Sequence, residues 1–261
     1  HANDTFDLSV MKGQRVGVLG AGASAFDISA AALHAGARSV DLCFRRPFLP
    51  RTNPRRWMEN AGFLGNYVDL PDTLKWRYML GLRQIGQGPP KPTYDAACAL
   101  DGFHAHPATL WTDVTWNGQE IIVRSGQRRF AFDHVVTATG IRVDFSERPE
   151  LQALQDQAAF WHDCYTPAPD EACAALGRFP YLDRCGAFVP RVPQQAPWLS
   201  RVLTATRACT LSLGPVAASN SALKYVAPRL IDGVRRQLLR DQAAHDWNIF
   251  AQRDHTEVVM T

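Results

Sequence analysis

The chain has 261 residues, of which 46% are hydrophobic and 20% charged, a profile that excludes a disordered chain and suits one large domain or two modest ones. Its net charge of +3 is small and dispersed, which argues against a nucleic-acid partner, and no apolar run approaches the ~20 residues of a membrane-spanning helix. The six cysteines (Cys43, Cys98, Cys164, Cys173, Cys185 and Cys209) form no Cys-x-x-Cys pair, so the spacing supports neither a disulfide scaffold nor a metal site and implies reduced thiols in a cytoplasmic protein.

The N-terminus is polar and shows no secretory signal. The first residue is His rather than Met, which suggests a fragment or a trimmed chain. Residues 1–14 read as a linker. Arg15–Leu19 is an apolar strand, and Gly20-Ala21-Gly22-Ala23-Ser24-Ala25 follows it as a glycine-rich turn opening into an alanine-rich helix that ends near Ala35, with Gly36 as the C-terminal cap. That order is what a dinucleotide pyrophosphate requires. Gly20 allows the tight turn, Gly22 lets the backbone approach the phosphates, and Ala25 is small enough for the helix to lie on the strand. The free N–H groups of the first helical turn then face the anion.

A second strand over Ser39–Phe44 completes a βαβ unit of about 30 residues. An NAD-preferring site places an acid beyond this strand for the ribose 2′-hydroxyl. Here the strand runs into Phe44-Arg45-Arg46-Pro47. Two guanidiniums suit a 2′-phosphate and point to NADPH, unless they are simply a solvated strand end. Asp41 comes too early in the strand to be the ribose ligand.

Residues 47–71 are proline-rich and read as irregular. Asp72 caps a helix to about Ile85, with Leu74, Tyr78, Leu82 and Ile85 on one face. A loop over 86–92 and a short helix after Thr93 complete an insertion spanning about 48–102. Trp111–Trp116 and Glu120–Arg124 flank Asn117-Gly118, a strong hairpin signal, and Arg128–Phe132 forms another strand. His134–Thr137 is an apolar strand ending in Ala138-Thr139-Gly140. Beyond it the texture changes. Arg148–Leu151 begins a short helix, Phe160–His162 reads as an edge strand, and Ser219 or Asn220 caps a long helix to about Arg240 that contains Pro228. The last twenty residues are expected to fray. The histidines at 34, 104, 106, 134, 162, 245 and 255 sit in no pattern that marks a base or a metal ligand.

Residues 20–27, Gly-Ala-Gly-Ala-Ser-Ala-Phe-Asp, resemble the NADPH fingerprint of flavin-containing and Baeyer–Villiger monooxygenases, in which Gly-x-Gly-x-Ser is followed by a small residue and then Asp. Arg45-Arg46-Pro47 is similar to the 2′-phosphate end of the second strand in the same enzymes, with Arg46 the better match. Ala138-Thr139-Gly140 is similar to the point where the chain returns to the flavin domain, and Ser212-Leu213-Gly214-Pro215 to the segment beside the flavin ring. The resemblance implies an α/β fold. A Rossmann-like NADP-binding domain with a β-meander would occupy residues 1–140, and the C-terminal part of a split FAD-binding domain residues 141–261.

No second glycine fingerprint for FAD occurs here, and a missing upstream segment of roughly 100–150 residues is the expected reason. Residues 141–261 would then be an incomplete domain with exposed apolar surface. The implied chemistry is hydride transfer from NADPH to FAD, then oxygenation of a small organic substrate through a flavin peroxide. Asn220 and Ser221 would either stabilise negative charge on the reduced flavin or simply cap the helix. Two other functions fit the same residues. One is a flavin-dependent oxidoreductase without oxygenation, and the other is a non-catalytic NADP-binding module.

Overall fold

The structure is a computed structural model that describes residues 1–2 and 4–253. In chain order the main elements are β1 (Arg15–Leu19), α1 (Ala23–His34), β2 (Ser39–Cys43), α2 (Pro54–Met58), α3 (Ala61–Asn66), α4 (Asp72–Ile85), α5 (Lys91–Cys98) and β3 (Phe103–His106). They are followed by β4 (Asp113–Trp116), β5 (Ile121–Ser125), β6 (Arg128–Phe132), β7 (His134–Thr137), α6 (Gln152–Gln157), α7 (Trp161–Cys164), α8 (Ala174–Gly177), α9 (Thr210–Leu213) and α10 (Leu223–Ala251). No helix among the described residues is long and apolar enough to cross a membrane.

The chain divides into two compact units. The first comprises residues 1–54 and 85–142, the second residues 55–84 and 143–261. In the first unit, β1, β2, β3 and β7 form a parallel sheet in the order β3-β2-β1-β7. Val16, Val18, Val40 and Leu42 alternate onto one face of it and are completely buried with Ala25 and Phe26 of α1. Full burial of each such side chain contributes about 1.5–3 kcal/mol. Alanines at the helix interface allow the close packing. Gly36, at φ +94°, turns the chain out of α1 into β2. The opposite face of β1 carries Gly17, where an added Cβ would lie 2.5 Å from the Phe132 ring. That close approach lets the antiparallel meander β4-β5-β6 lie beside the parallel sheet. Asn117 makes the hairpin as expected, its Oδ1 accepting from the N–H groups of Gln119 and Glu120 at 2.9 Å.

The second unit has few regular strands. Its cores are built around Phe145, Phe160, Phe188 and Leu199, and around Trp76, Trp161, Leu176 and Leu211. Ser212 Oγ, buried, accepts from Trp161 Nε1 at 3.1 Å and from the Leu182 N–H at 3.2 Å, and donates to the Pro180 carbonyl.

Several expectations are corrected. Residues 55–84 belong with the second unit rather than with the first, because Trp76 and Met79 of α4 bury themselves against Trp161 and Leu211 and the buried Tyr67 hydroxyl donates to the Lys75 carbonyl. The stretch 47–71 is not wholly irregular. Asn60 accepts from the Phe63 N–H at 2.9 Å and so starts α3. Phe160–His162 is not an edge strand. Asp163 accepts from the Phe160 N–H at 2.8 Å and turns the chain into α7. Finally, α10 continues to Ala251 instead of ending near Arg240, with i,i+4 pairs Asp232–Arg236 and Gln237–Asp241 along it. Ile231, Val234, Leu238, Trp247, Ile249 and Phe250 are exposed on this helix.

Candidate functional site

The site in the first unit begins at the carboxyl end of β1. The Gly20 N–H donates to the Cys43 carbonyl at 3.0 Å, and the Ala138 N–H to the Leu19 carbonyl at 2.7 Å, so the turn sits between the ends of β2 and β7. After β1 the chain crosses to β2 on one side, while β7 lies on the other. This is a switch point of an open parallel sheet, where a crevice forms.

The two glycines of the turn have different reasons to be glycine. Gly20 has φ +151°, and a Cβ there would lie 2.3 Å from the Ala138 carbonyl oxygen. The fold itself demands it. Gly22 has an ordinary φ of −90° and no protein atom within 4 Å of the position a Cβ would take. The space beside Gly22 is therefore a cradle that a side chain would fill. Gly22 is the N-terminal cap residue of α1, no side chain caps the helix, and its first turn carries no acid. Ala23 is partly exposed, Ser24 exposed and Ala25 buried against the sheet. The α1 N-terminus thus offers uncapped N–H donors and the positive end of the helix dipole to an anion.

At the end of β2, Arg45 is exposed. Arg46 Nη1 donates to the Ile85 carbonyl at 2.8 Å, and the Arg46 guanidinium closes over Gly86. Of the two residues, Arg45 is the more exposed. Ala138 is buried, whereas Thr139 and Gly140 are exposed, and Gly140 has φ +90°.

In the second unit Asn220 is exposed and starts a 3-10 turn ahead of α10. Ser221 Oγ donates to Glu59 Oε1 at 3.3 Å and lies 2.9 Å from Ser219 Oγ. No side chain caps this turn or α10, so the capping role expected at Ser219 or Asn220 is not realised. Glu59 also places a carboxylate at the Ser221 hydroxyl.

One cluster was not expected from the chain order. Asp41 Oδ1 lies 2.6 Å from His106 Nε2, Arg128 Nη2 lies 2.8 Å from His106 Nδ1, and Arg128 Nη1 donates to Thr109 Oγ1 at 2.8 Å. Because arginine can only donate, His106 Nδ1 is the acceptor and Nε2 carries the proton given to Asp41. Asp41 is thus engaged by His106, which is more than a packing histidine. The signal lies in the register, which the chain order hides. The pairs Asp41↔His104 and Cys43↔His106 put these side chains on one face of the sheet. Burial pushes the Cys43 thiol up to about 11, so it stays protonated there. His255 lies outside the described residues.

The fold and this site define a chain that is like the FAD/NAD(P)-binding flavoprotein monooxygenases, with a Rossmann-like parallel sheet. Its sequence is 35% identical over 259 residues to the FAD-dependent urate hydroxylase of Xanthomonas campestris pv. campestris. That alignment takes in 99% of this chain and 55% of the relative, so the chain spans about half the length of the curated relative it matches. The FAD-bound cadaverine monooxygenase of the desferrioxamine biosynthetic pathway from Erwinia amylovora has the same fold. Its TM-score is 0.54 at 14% identity, covering 82% of this chain and 49% of that one. The ornithine N-hydroxylase of Kutzneria sp. 744, solved with reduced FAD, NADP+ and L-ornithine, gives 0.55 at 15% identity over 85% of this chain and 54% of that one. No protein-family model matches.

Proposed function

We propose that this chain is the NADPH-binding part, together with a portion of the FAD-binding part, of a flavoprotein monooxygenase acting on a small organic substrate. The observation that carries the reading is the open cradle at Gly22. Glycine is required there neither by φ nor by a protein neighbour, and the uncapped α1 N-terminus stands beside it. Backbone N–H groups from Gly22 to Ser24, with the Ser24 hydroxyl, would hold the pyrophosphate. Arg45 would grip the 2′-phosphate, with Arg46 bracing the Ile85–Gly86 turn beside it. Ala138-Thr139-Gly140 would border the same crevice, and Asn220 and Ser221 the flavin. NADPH and FAD when bound would supply hydride transfer and the activation of dioxygen. The residues here bind, orient and exclude water.

The urate hydroxylase relative makes an oxidised purine the first substrate to test. Protein loaded with FAD is given NADPH and urate, and NADPH oxidation, oxygen uptake and urate loss are followed together. Stoichiometric loss of all three supports the reading. NADPH oxidation with hydrogen peroxide release and no consumption of urate or related purines would favour an oxidoreductase without oxygenation. Binding of NADPH without oxidation would favour a non-catalytic module.

A further inference from the structure

On β6, residues Arg128, Phe130 and Phe132 alternate onto the face that meets the parallel sheet. Phe132 lies against Gly17, the Phe130 ring is 5.2 Å from the His106 ring, and Arg128 reaches His106 and Thr109. The row therefore runs along the sheet toward the residues that flank the end of β2. At that end the Phe44 N–H donates to the His106 carbonyl at 3.1 Å, and the Thr109 N–H to the Phe44 carbonyl at 2.9 Å. Phe44 thus stays extended and packs in the core with Val40 and Leu42. The chain bends at Arg45, directly after Phe44, and Arg128 is held by Thr109, whose N–H reaches the Phe44 carbonyl.

Arg128 is an exposed residue, yet its guanidinium is fixed by two bonds, and neither acceptor is a carboxylate. Its charge is not neutralised directly. Asp41 acts one residue away, through the imidazole. Three of its five N–H donors remain beyond the two given to His106 and Thr109.

We propose that Arg128 is a further guanidinium of the site for a nucleotide 2′-phosphomonoester, and that neutral His106, oriented by Asp41, is its positioning residue. This rests on the dinucleotide reading of the Gly20–Ala25 turn. The charged and titratable groups around His106 are Asp41 and Cys43 on β2, His104 on its own strand and Arg128 on β6.

The test measures NADPH, NADH and 2′,5′-ADP binding by calorimetry on the full chain. R128Q is expected to weaken NADPH and 2′,5′-ADP at least about tenfold and to leave NADH affinity unchanged. H106Q, whose amide can donate to Asp41 and accept from Arg128, should keep wild-type NADPH affinity, and H106L should lose it as R128Q does. Equal NADPH affinity in wild type and R128Q, or equal NADPH affinity in H106Q and H106L, would overturn the proposal. Wild type that binds neither dinucleotide nor 2′,5′-ADP would instead overturn the dinucleotide reading beneath it.

Discussion

The carbonyl oxygen of Ala138 occupies the space that a side chain on residue 20 would need. The turn after β1 is thereby locked to the end of β7 by contact as well as by hydrogen bonding. Gly20→Ala adds a backbone clash to a left-handed φ, and is expected to destabilise the chain by roughly 1–3 kcal/mol, read as a lowered melting temperature. Gly22→Ala meets no protein atom. Its melting temperature should stay at the wild-type value while NADPH affinity falls about tenfold or more, since the new methyl enters the cradle. The reverse pattern would remove the case for a ligand at Gly22.

Arg45 and Arg46 are expected to separate in the same way. Arg45→Ala leaves the fold untouched and should reduce the preference for NADPH over NADH by about tenfold or more. Arg46→Ala removes the bond to the Ile85 carbonyl and the cover over Gly86, so it should lower stability by about 1 kcal/mol with a smaller effect on preference. Titration of both dinucleotides against each variant, with thermal melts, decides between the two roles.

Arg15 joins the start of β1 to the strand that closes the sheet. Its guanidinium bonds Asp133 through Nε and Nη2, and Glu120 through Nη2 at 3.0 Å. The hydrogen bonds from Arg15 hold the Asp133 carboxyl below its ordinary range. A depressed carboxylate contributes stability that is fully present above its unfolded value of ~3.9, and that stability is lost as pH falls through the folded value. Asp133→Asn should therefore cost about 1 kcal/mol at neutral pH for this half-exposed pair. Its stability should also fall less steeply than wild type on acidification. Urea melts across the acid limb measure both.

In the second unit, Ser212→Ala removes the acceptor for the Trp161 indole and for the Leu182 N–H. Leaving two buried donors unsatisfied is expected to cost about 1–3 kcal/mol for each group. Because Trp161 is completely buried, its fluorescence should report the loss. Thr at this position keeps the hydroxyl and should recover part of the stability.

Residues 15–44 were legible as a βαβ unit because local order carries the information. An apolar strand, a glycine turn and a small-residue helix follow one another directly, and each is defined by its own side chains. The same holds for the Asn117-Gly118 hairpin and for the helix over 72–85. The greater exposure of Arg45 than of Arg46 was hidden, since it depends on where Ile85 and Gly86 return in space. The Asp41–His106–Arg128 brace was hidden for the same reason. Its members are 65 and 22 positions apart, and only strand register puts them on one face.

The sequence by itself determined the glycine turn after β1, its strands and its helix, because these follow from periodicity, glycine placement and short-range turn chemistry. Only the tertiary structure decided that Gly20 serves the fold while Gly22 leaves a cradle, and that residues 55–84 bury their aromatics in the second unit. Those outcomes depend on contacts between segments distant in the chain, where burial and steric exclusion act and local propensity carries no signal.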